Sequence, residues 1–96
     1  MKTKYIVKLT SQFKKDYKLA LKRKKDLSKL QYVIEKLANG EKLDEKYYEH
    51  SLTGNWRGYR ECHIEPDWLL VYFIKEDVLV LSLARIGKHE EVFEKL

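Results

Sequence analysis

The sequence predicts an α+β fold, in which a basic pair of helices packs on one face of an antiparallel β-sheet. In the first forty residues, apolar side chains recur every three or four positions, which is the spacing of amphipathic helices. From residue 56 onwards, short apolar runs separated by polar turns indicate strands. No repeat, low-complexity tract or flexible linker divides the 96 residues, so we expect a single domain over residues 1–96.

The first part of the chain predicts a short strand over residues 4–9, followed by two helices. Thr10 or Ser11 can cap the first helix, whose apolar stripe consists of Phe13, Tyr17, Ala20 and Leu21. Asp26 is the expected N-cap of the second helix, which an Asn-Gly pair ends. The inward-facing side chains of this helix are Leu27, Leu30, Ile34 and Leu37. We call the two helices the helical hairpin.

The second part predicts a loop over residues 41–55 and then three strands, over residues 56–64, 68–74 and 78–84. Polar turns separate these strands at residues 65–67 and 75–77, and a proline restricts the first turn. Gly87 is expected to break the third strand. A short terminal helix or turn should follow over residues 88–96.

The strand predicted over residues 56–64 has two chemically different faces. Alternation of side chains puts four polar or aromatic residues on one face, namely Arg57, Tyr59, Glu61 and His63. Cys62 lies on the other face, where we expect it to be buried and inert. Trp56 and Trp68 are assigned mainly to packing.

Basic charge is concentrated in the first part of the chain. Residues 1–38 carry 12 Lys or Arg against 3 Asp or Glu, a balance of +9, whereas residues 39–96 carry 8 against 12, a balance of −4. A basic surface of this kind suits a polyanion, above all nucleic acid. The alternative is an ordinary solvated helix face. The side chains expected to form the surface are Lys14, Lys15, Lys18, Lys22, Arg23, Lys24 and Lys25.

Composition argues against several classes of protein. The content of 44% hydrophobic and 36% charged residues is typical of a soluble globular chain. The longest apolar run, over residues 68–74, is too short to cross a bilayer, and Lys8 interrupts any secretory signal. The only cysteine cannot form an internal disulfide. We therefore expect a cytoplasmic protein that does not act at a membrane.

The residues that suggest chemistry lie in the second half of the chain: His50, His63, Asp67, Arg85 and His89. Histidine both donates and accepts protons near neutral pH. Cleaving RNA without a metal requires a base for the 2′-hydroxyl, an acid for the departing 5′-oxygen and a cation for the charge on phosphorus. Histidines and the aspartate suit the first two tasks. The planar guanidinium of Arg85 suits the third, because it forks onto phosphate oxygens.

Metal and aromatic roles are less sharply indicated. No two histidines have the spacing of a zinc motif, so the spacing does not favour a metal site, although a zinc site assembled from distant positions stays open. Phe93 follows His89 by four residues, which puts both on one face of a helix. There the ring can stack on a base or plug the edge of the core, and the residues alone slightly favour the core.

Three motifs in order resemble the YafQ-like branch of the RelE/ParE toxin superfamily, from bacterial type II toxin–antitoxin pairs. They are H-x-L-x-G-x-W-x-G-x-R over residues 50–60, H-x-x-x-D-W over residues 63–68 and R-x-G-x-H-x-x-x-F over residues 85–93. The resemblance also includes the basic stretch over residues 17–23 and covers nearly the whole chain. It implies a RelE-like fold.

The resemblance implies an endoribonuclease that enters the ribosomal A site and cuts the mRNA there, with no metal and no cofactor involved. It assigns acid–base roles to His50, His63, Asp67 and His89, with Arg85 facing the phosphate. Our hypothesis makes His89 the general acid and Asp67 or His63 the base, with His50 orienting or sharing that role. Under the resemblance Phe93 becomes a base-stacking residue.

The resemblance also implies partners. These are the 70S ribosome with its mRNA, and a small antitoxin with a ribbon-helix-helix DNA-binding end and a tail that wraps the toxin. Operator DNA would be contacted only through the toxin–antitoxin complex, which represses its own operon. The helical hairpin would then lie against ribosomal RNA.

Some residues depart from the family pattern, and other functions stay open. Lys88 precedes His89, and Glu90 and Glu91 follow it, where the family tends to carry small or hydroxylated residues, which leaves the codon preference undetermined. The alternatives are a gyrase-poisoning toxin of the same fold, a nucleic-acid-binding module and an inactive relative that binds only antitoxin. The first lacks the histidine set, and the second leaves the histidines and Arg85 without a role.

Overall fold

The computed structural model describes residues 3–93 and confirms the predicted α+β fold. Three helices accompany a five-stranded sheet: α1 (Ser11–Lys22), α2 (Leu27–Ala38) and α3 (His89–Phe93). The strands are β1 (Ile6–Leu9), β2 (His50–Ser51), β3 (Arg60–Glu65), β4 (Trp68–Lys75) and β5 (Val80–Gly87). They are arranged in the order β1-β5-β4-β3-β2. None of the helices in residues 3–93 is long and apolar enough to cross a membrane.

The predicted antiparallel arrangement is right for β2 to β5, whereas β1 pairs with β5 in parallel. The parallel pair is possible because the helical hairpin and three further strands separate β1 from β5 along the chain. β1 lies opposite only the first half of β5, from Val80 to Leu83. The side chain of Thr10 then hydrogen-bonds the carbonyls of Leu83 and Ala84, so α1 continues along the edge of the sheet where β1 ends.

Both predicted helix caps are confirmed. The hydroxyl of Thr10 accepts a hydrogen bond from the amide of Phe13, and the carboxylate of Asp26 accepts one from the amide of Ser28. The predicted apolar stripe of α1 is partly wrong, because Tyr17 and Leu21 are exposed. Since α1 covers the edge of the sheet, only a narrow strip of its surface is buried: Phe13, Ala20 and the charged Asp16.

The main core lies between α2 and one face of the sheet. Leu30, Val33 and Leu37 of α2 pack there with strand residues that include Cys62, Leu70 and Tyr72. Cys62 is fully buried as predicted, and burial raises the pKa of its thiol. Trp68 belongs to this core, whereas Trp56 packs with Tyr59 and Phe93 in a smaller cluster around Val71, Ala84 and Val92.

Several predicted boundaries shift. The loop over residues 41–55 contains a 3-10 turn at Glu45–Tyr47 and the short strand β2. β3 begins at Arg60 because a second 3-10 turn occupies Gly54–Trp56. β5 begins later than predicted and continues through Gly87, which pairs with Leu69 and does not break the strand.

Candidate active site

The register of the sheet brings His50, His63 and Arg85 onto one face, together with Glu61. His50 lies opposite Glu61, Glu61 opposite Val71, and Val71 opposite Arg85, which forms one row across four strands. Residues directly opposite each other on antiparallel strands share a face of the sheet. Since neighbouring strands are about 4.8 Å apart, the backbones of Glu61 and Arg85 are separated by roughly 10 Å. This face is opposite the one that α2 covers, because Cys62 alternates with Glu61 and points into the main core.

His50 and His63 converge on Glu61, whose side chain is only 7% exposed. Nε2 of His63 lies 3.1 Å from one carboxylate oxygen, and Nε2 of His50 lies 3.6 Å from the other. The opposite ring nitrogens are held by backbone carbonyls: Nδ1 of His50 lies 2.7 Å from the oxygen of Tyr48, and Nδ1 of His63 lies 3.3 Å from that of Pro66. We call these three side chains the His-Glu-His cluster.

The contacts of His63 determine which protonation state satisfies them. A neutral imidazole carries one N–H, so it can donate to the carbonyl of Pro66 or to Glu61, but not to both. Only the doubly protonated ring donates to both acceptors. The ring nitrogens of the two histidines and the carboxylate of Glu61 can therefore carry more than one proton between them.

Asp67 connects the turn between β3 and β4 to the start of α3. Its carboxylate accepts a hydrogen bond from the backbone amide of His89, at 3.4 Å. The imidazole of His89 is exposed, and its ring centroid lies 4.9 Å from that of Phe93. Asp67 thus fixes the backbone of His89 while leaving its ring accessible to a substrate.

Arg85 is held by Asp16, a residue that sequence reasoning missed. Nε and Nη2 of Arg85 donate to the two carboxylate oxygens of Asp16 at 2.8 and 3.2 Å. The amide of Ile86 also donates to Asp16, beyond the point where β1 pairs with β5. Both charged side chains are largely buried, at 16% and 9% exposure. The Nε–Nη2 edge of the guanidinium is therefore occupied by Asp16, and Nη1 donates a longer hydrogen bond, of 3.5 Å, to the carbonyl of Val92.

A signal for Asp16 was present in the sequence. It is the only acidic residue of α1, among many lysines, and it lies three residues after Phe13 and four before Ala20. Those two residues are buried, so Asp16 belongs to the buried strip of the helix. An isolated carboxylate in an inward-facing position needs a cationic partner, because burying an unpaired charge is costly.

Phe93 is partly buried, and its ring meets that of Trp56 edge-on at 5.7 Å. Its other neighbour in the site is His89. The core interpretation is therefore correct for part of the ring, and the base-stacking role remains a prediction.

The predicted basic surface is divided by ion pairs. Arg23 forms a two-bonded ion pair with Glu91, and Lys25 pairs with Glu65 at 2.7 Å. The hydrogen bonds of Arg23 lower the pKa of the Glu91 carboxyl, as those of Lys25 and Lys29 lower the pKa of Glu65. Within residues 3–93, five of the seven predicted side chains are exposed and form no ion pair: Lys14, Lys15, Lys18, Lys22 and Lys24.

Two other contacts of the site could not be assigned from the sequence. Glu61 was placed on the face of His63 by alternation, but nothing in the sequence placed His50 beside it. Tyr48 had no predicted role.

In the part of the chain that the structure describes, no three His, Cys, Asp or Glu side chains form a group that could hold a metal ion.

Comparison with known proteins gives matches over nearly the whole chain. A family model described as a bacterial toxin of type II toxin-antitoxin systems, YafQ, matches residues 5–94. The mRNA interferase toxin YafQ of Escherichia coli strain K12 is 41% identical over 88 residues, 91% of this chain and 94% of that protein. The E. coli DinJ-YafQ toxin-antitoxin complex superposes with a TM-score of 0.85 at 40% identity, covering 93% of this chain and 98% of that one. A metal-bound toxin from Helicobacter pylori gives 0.86 at 41% identity, covering 97% and 100%.

Proposed function

Because the chain belongs to the YafQ family of bacterial type II toxins, we propose that it is an endoribonuclease that cleaves mRNA in the ribosomal A site. The E. coli relative is named an mRNA interferase toxin. The single observation that carries the proposal is the convergence of His50 and His63 on the buried carboxylate of Glu61, on the face of the sheet that Arg85 shares. A plain nucleic-acid-binding module does not need this arrangement.

The proposed reaction is an attack of the 2′-oxygen on the adjacent phosphorus. A base removes the proton of the 2′-hydroxyl, the P–O5′ bond breaks, and an acid protonates the departing 5′-oxygen. The products are a 2′,3′-cyclic phosphate and a 5′-hydroxyl. His89 is the acid, since its ring is exposed beside Asp67, and the positive charge of Arg85 stabilises the charge that develops on the phosphoryl oxygens.

The division of labour among the remaining groups follows from their contacts. Both ring nitrogens of His63 face acceptors, which favours a donor role for this residue. Asp67 is exposed and acts only as an acceptor when ionised, which favours it over His63 as the base. His50 then orients the substrate or shares a proton through Glu61.

Several further properties belong to the same proposal. The five exposed lysines of the helical hairpin that form no ion pair within residues 3–93, Lys14, Lys15, Lys18, Lys22 and Lys24, would contact ribosomal RNA. A cognate antitoxin would bind the toxin, by analogy with the DinJ-YafQ toxin-antitoxin complex. As the resemblance in sequence implies, this antitoxin would have a ribbon-helix-helix end and carry the toxin to operator DNA. Residues 1–96 would form one cytoplasmic toxin domain. The proposed steps use side chains alone, although one relative, a toxin from Helicobacter pylori, is metal-bound.

Cleavage of mRNA on programmed ribosomes tests the proposal. We expect the variant His89→Ala to lose cleavage by at least about 100-fold with ribosome binding nearly unchanged, because only the acid is removed. Reversing the charge of Lys14, Lys15, Lys18 and Lys22 should instead weaken binding and flatten its salt dependence.

The outcomes discriminate between the alternatives. An unchanged cleavage rate in His89→Ala would remove this residue from the mechanism. A wild-type chain that leaves ribosome-bound mRNA intact but inhibits a topoisomerase would support the gyrase-poisoning alternative.

A further inference from the structure

A groove of about 1000 Å³ lies beside the His-Glu-His cluster, between α2 and the edge of the sheet at β2 and β3. His50 and His63 form part of its lining, so the groove opens directly onto the candidate active site. The rest of the lining includes three tyrosines and two lysines: Tyr32, Tyr47, Tyr48, Lys29 and Lys46. Its size is that of a site for a small organic ligand or a nucleotide.

Tyr48 combines an exposed side chain with an unusual backbone conformation. Its side chain is 70% exposed, so packing in the core does not explain why an aromatic residue is present at this position. Its backbone has a φ of +47°, a left-handed conformation that is unfavourable for a residue with a Cβ. Its carbonyl holds Nδ1 of His50, and its ring meets that of His63 edge-on at 5.8 Å. The left-handed turn thus presents an accessible ring next to both histidines.

We infer that this groove binds the base of the nucleotide on the 5′ side of the scissile bond, with the ring of Tyr48 stacked on that base. The inference rests on the proposed endoribonuclease function. Stacking of a base on an aromatic side chain is sequence-tolerant, because every base presents a π face. The side chain of Tyr48 is 70% exposed, so its ring is accessible for such stacking.

The charges of the groove suit a single-stranded nucleic acid. Lys46 is exposed and can contact a phosphate next to the bound base, whereas the exposed Lys29 is paired with Glu65. Glu65 also lines the groove, but its carboxylate is paired with Lys25 and Lys29 and so repels a phosphate less. The polyanion therefore meets a net positive surface beside an aromatic platform.

The position of the groove determines which nucleotide it binds. Phe93 lies beside His89, the acid that protonates the departing 5′-oxygen, and so lies on the 3′ side of the cut. Tyr48 lies beside His63, on the other side of the Pro66–Asp67 turn. Since Phe93 is beside the acid and Tyr48 is beside His63, we assign Tyr48 to the nucleotide on the 5′ side of the cut, which supplies the 2′-hydroxyl.

Single-turnover cleavage on programmed ribosomes tests this inference, with two mRNAs that differ at one position. One carries a normal nucleotide 5′ of the cut, and the other carries an abasic ribonucleotide there, which keeps the 2′-hydroxyl. The informative variant is Tyr48→Asn, because asparagine tolerates the left-handed backbone and lacks the ring. Tyr48→Phe keeps the ring, and Tyr17→Leu removes a partly exposed tyrosine outside the groove as a matched control.

We expect Tyr48→Asn to slow cleavage of the normal mRNA by about 10-fold or more, while Tyr48→Phe and Tyr17→Leu stay within about twofold of the wild type. On the abasic mRNA, wild type and Tyr48→Asn should cleave at the same reduced rate, since the ring has no base to contact. A rate for Tyr48→Asn within twofold of wild type on the normal mRNA, or equal losses on both mRNAs, would overturn the inference alone. Absence of cleavage by the wild type would overturn the proposed function as well.

Discussion

Two buried carboxylates on opposite sides of the active face hold cationic side chains, and they differ in what those side chains can do. Glu61 contacts two histidines, whose protons can leave, whereas Asp16 contacts Arg85, which stays charged at any pH a protein tolerates. The exposures differ in the same sense, since His50 is 52% exposed and Arg85 only 16%. One side of the face is therefore suited to proton transfer, and the other to a fixed positive charge.

The largest effect is expected from breaking the fixed pair. Asp16→Ala leaves a buried guanidinium without its partner and the amide of Ile86 without its acceptor. We expect the free energy of unfolding to fall by about 3–5 kcal/mol, as measured by urea denaturation. Gln12→Ala is a suitable control, because Gln12 donates one hydrogen bond to Asp16 from an exposed position and should cost much less.

The double variant Asp16→Leu/Arg85→Leu sharpens this test. Replacing both members of a buried ion pair by apolar side chains removes the unpaired charge, so most of the lost stability should return. Cleavage should not return, because the cation is gone. If Asp16→Ala alone costs less than about 1 kcal/mol, solvent screens the pair and it does not hold Arg85 in place.

A smaller effect, on rate rather than stability, is expected on the proton-transfer side. Glu61→Gln keeps the shape of the side chain but removes the charge between His50 and His63. We expect single-turnover cleavage to fall by about 10- to 100-fold, the range of a perturbed acid–base group. Glu90→Gln, an exposed carboxylate next to His89, is the control and should cleave normally. Equal rates for Glu61→Gln and the wild type would show that Glu61 has no part in the chemistry.

The smallest effect concerns a third carboxylate, Glu49, which pairs with Arg60 and Tyr72 at the edge of the sheet. Hydrogen bonds from Arg60 and then Tyr72 hold the pKa of Glu49 below its usual 4.5, so the folded state favours the ionised form. This contribution is present above the unfolded pKa and is lost as the pH falls through the lower folded value.

Glu49→Gln should therefore lower the free energy of unfolding by about 1 kcal/mol at pH 7. The wild type and the variant should approach each other in stability as the pH falls through the lowered folded pKa of Glu49, because the wild-type carboxylate becomes protonated. Urea denaturation at several pH values measures both quantities. A difference that persists unchanged at low pH would show that the carboxylate charge is not its source.

The helices, caps and main strands could be predicted because their signals are local. Thr10 and Asp26 lie where apolar periodicity begins, and Cys62 is buried because its neighbours alternate along one strand. Asp16 acquires its role from Arg85, which is 69 positions away in the sequence. Glu61 acquires its role from His50 and His63, which lie on two different strands. No local pattern contains such a contact, so the three-dimensional register was needed to find it.

The same limit explains the errors in the first part of the chain. Tyr17 and Leu21 have helical spacing to Phe13, which favours an inward position. Whether they are covered depends on how much of the sheet α1 overlies, and α1 lies at the edge beyond the end of β1. The parallel pairing of β1 with β5 is likewise a property of the whole chain.

The pair between Asp16 and Arg85 also has a mechanical consequence. Asp16 lies in the middle of α1, the helix that carries Lys14, Lys15, Lys18 and Lys22. Its carboxylate accepts two hydrogen bonds from Arg85. These two bonds of 2.8 and 3.2 Å link the position of the guanidinium to that of the helix. Under the proposed function, a nucleic acid bound by the lysines of α1 would therefore also set the position of the guanidinium relative to the phosphate.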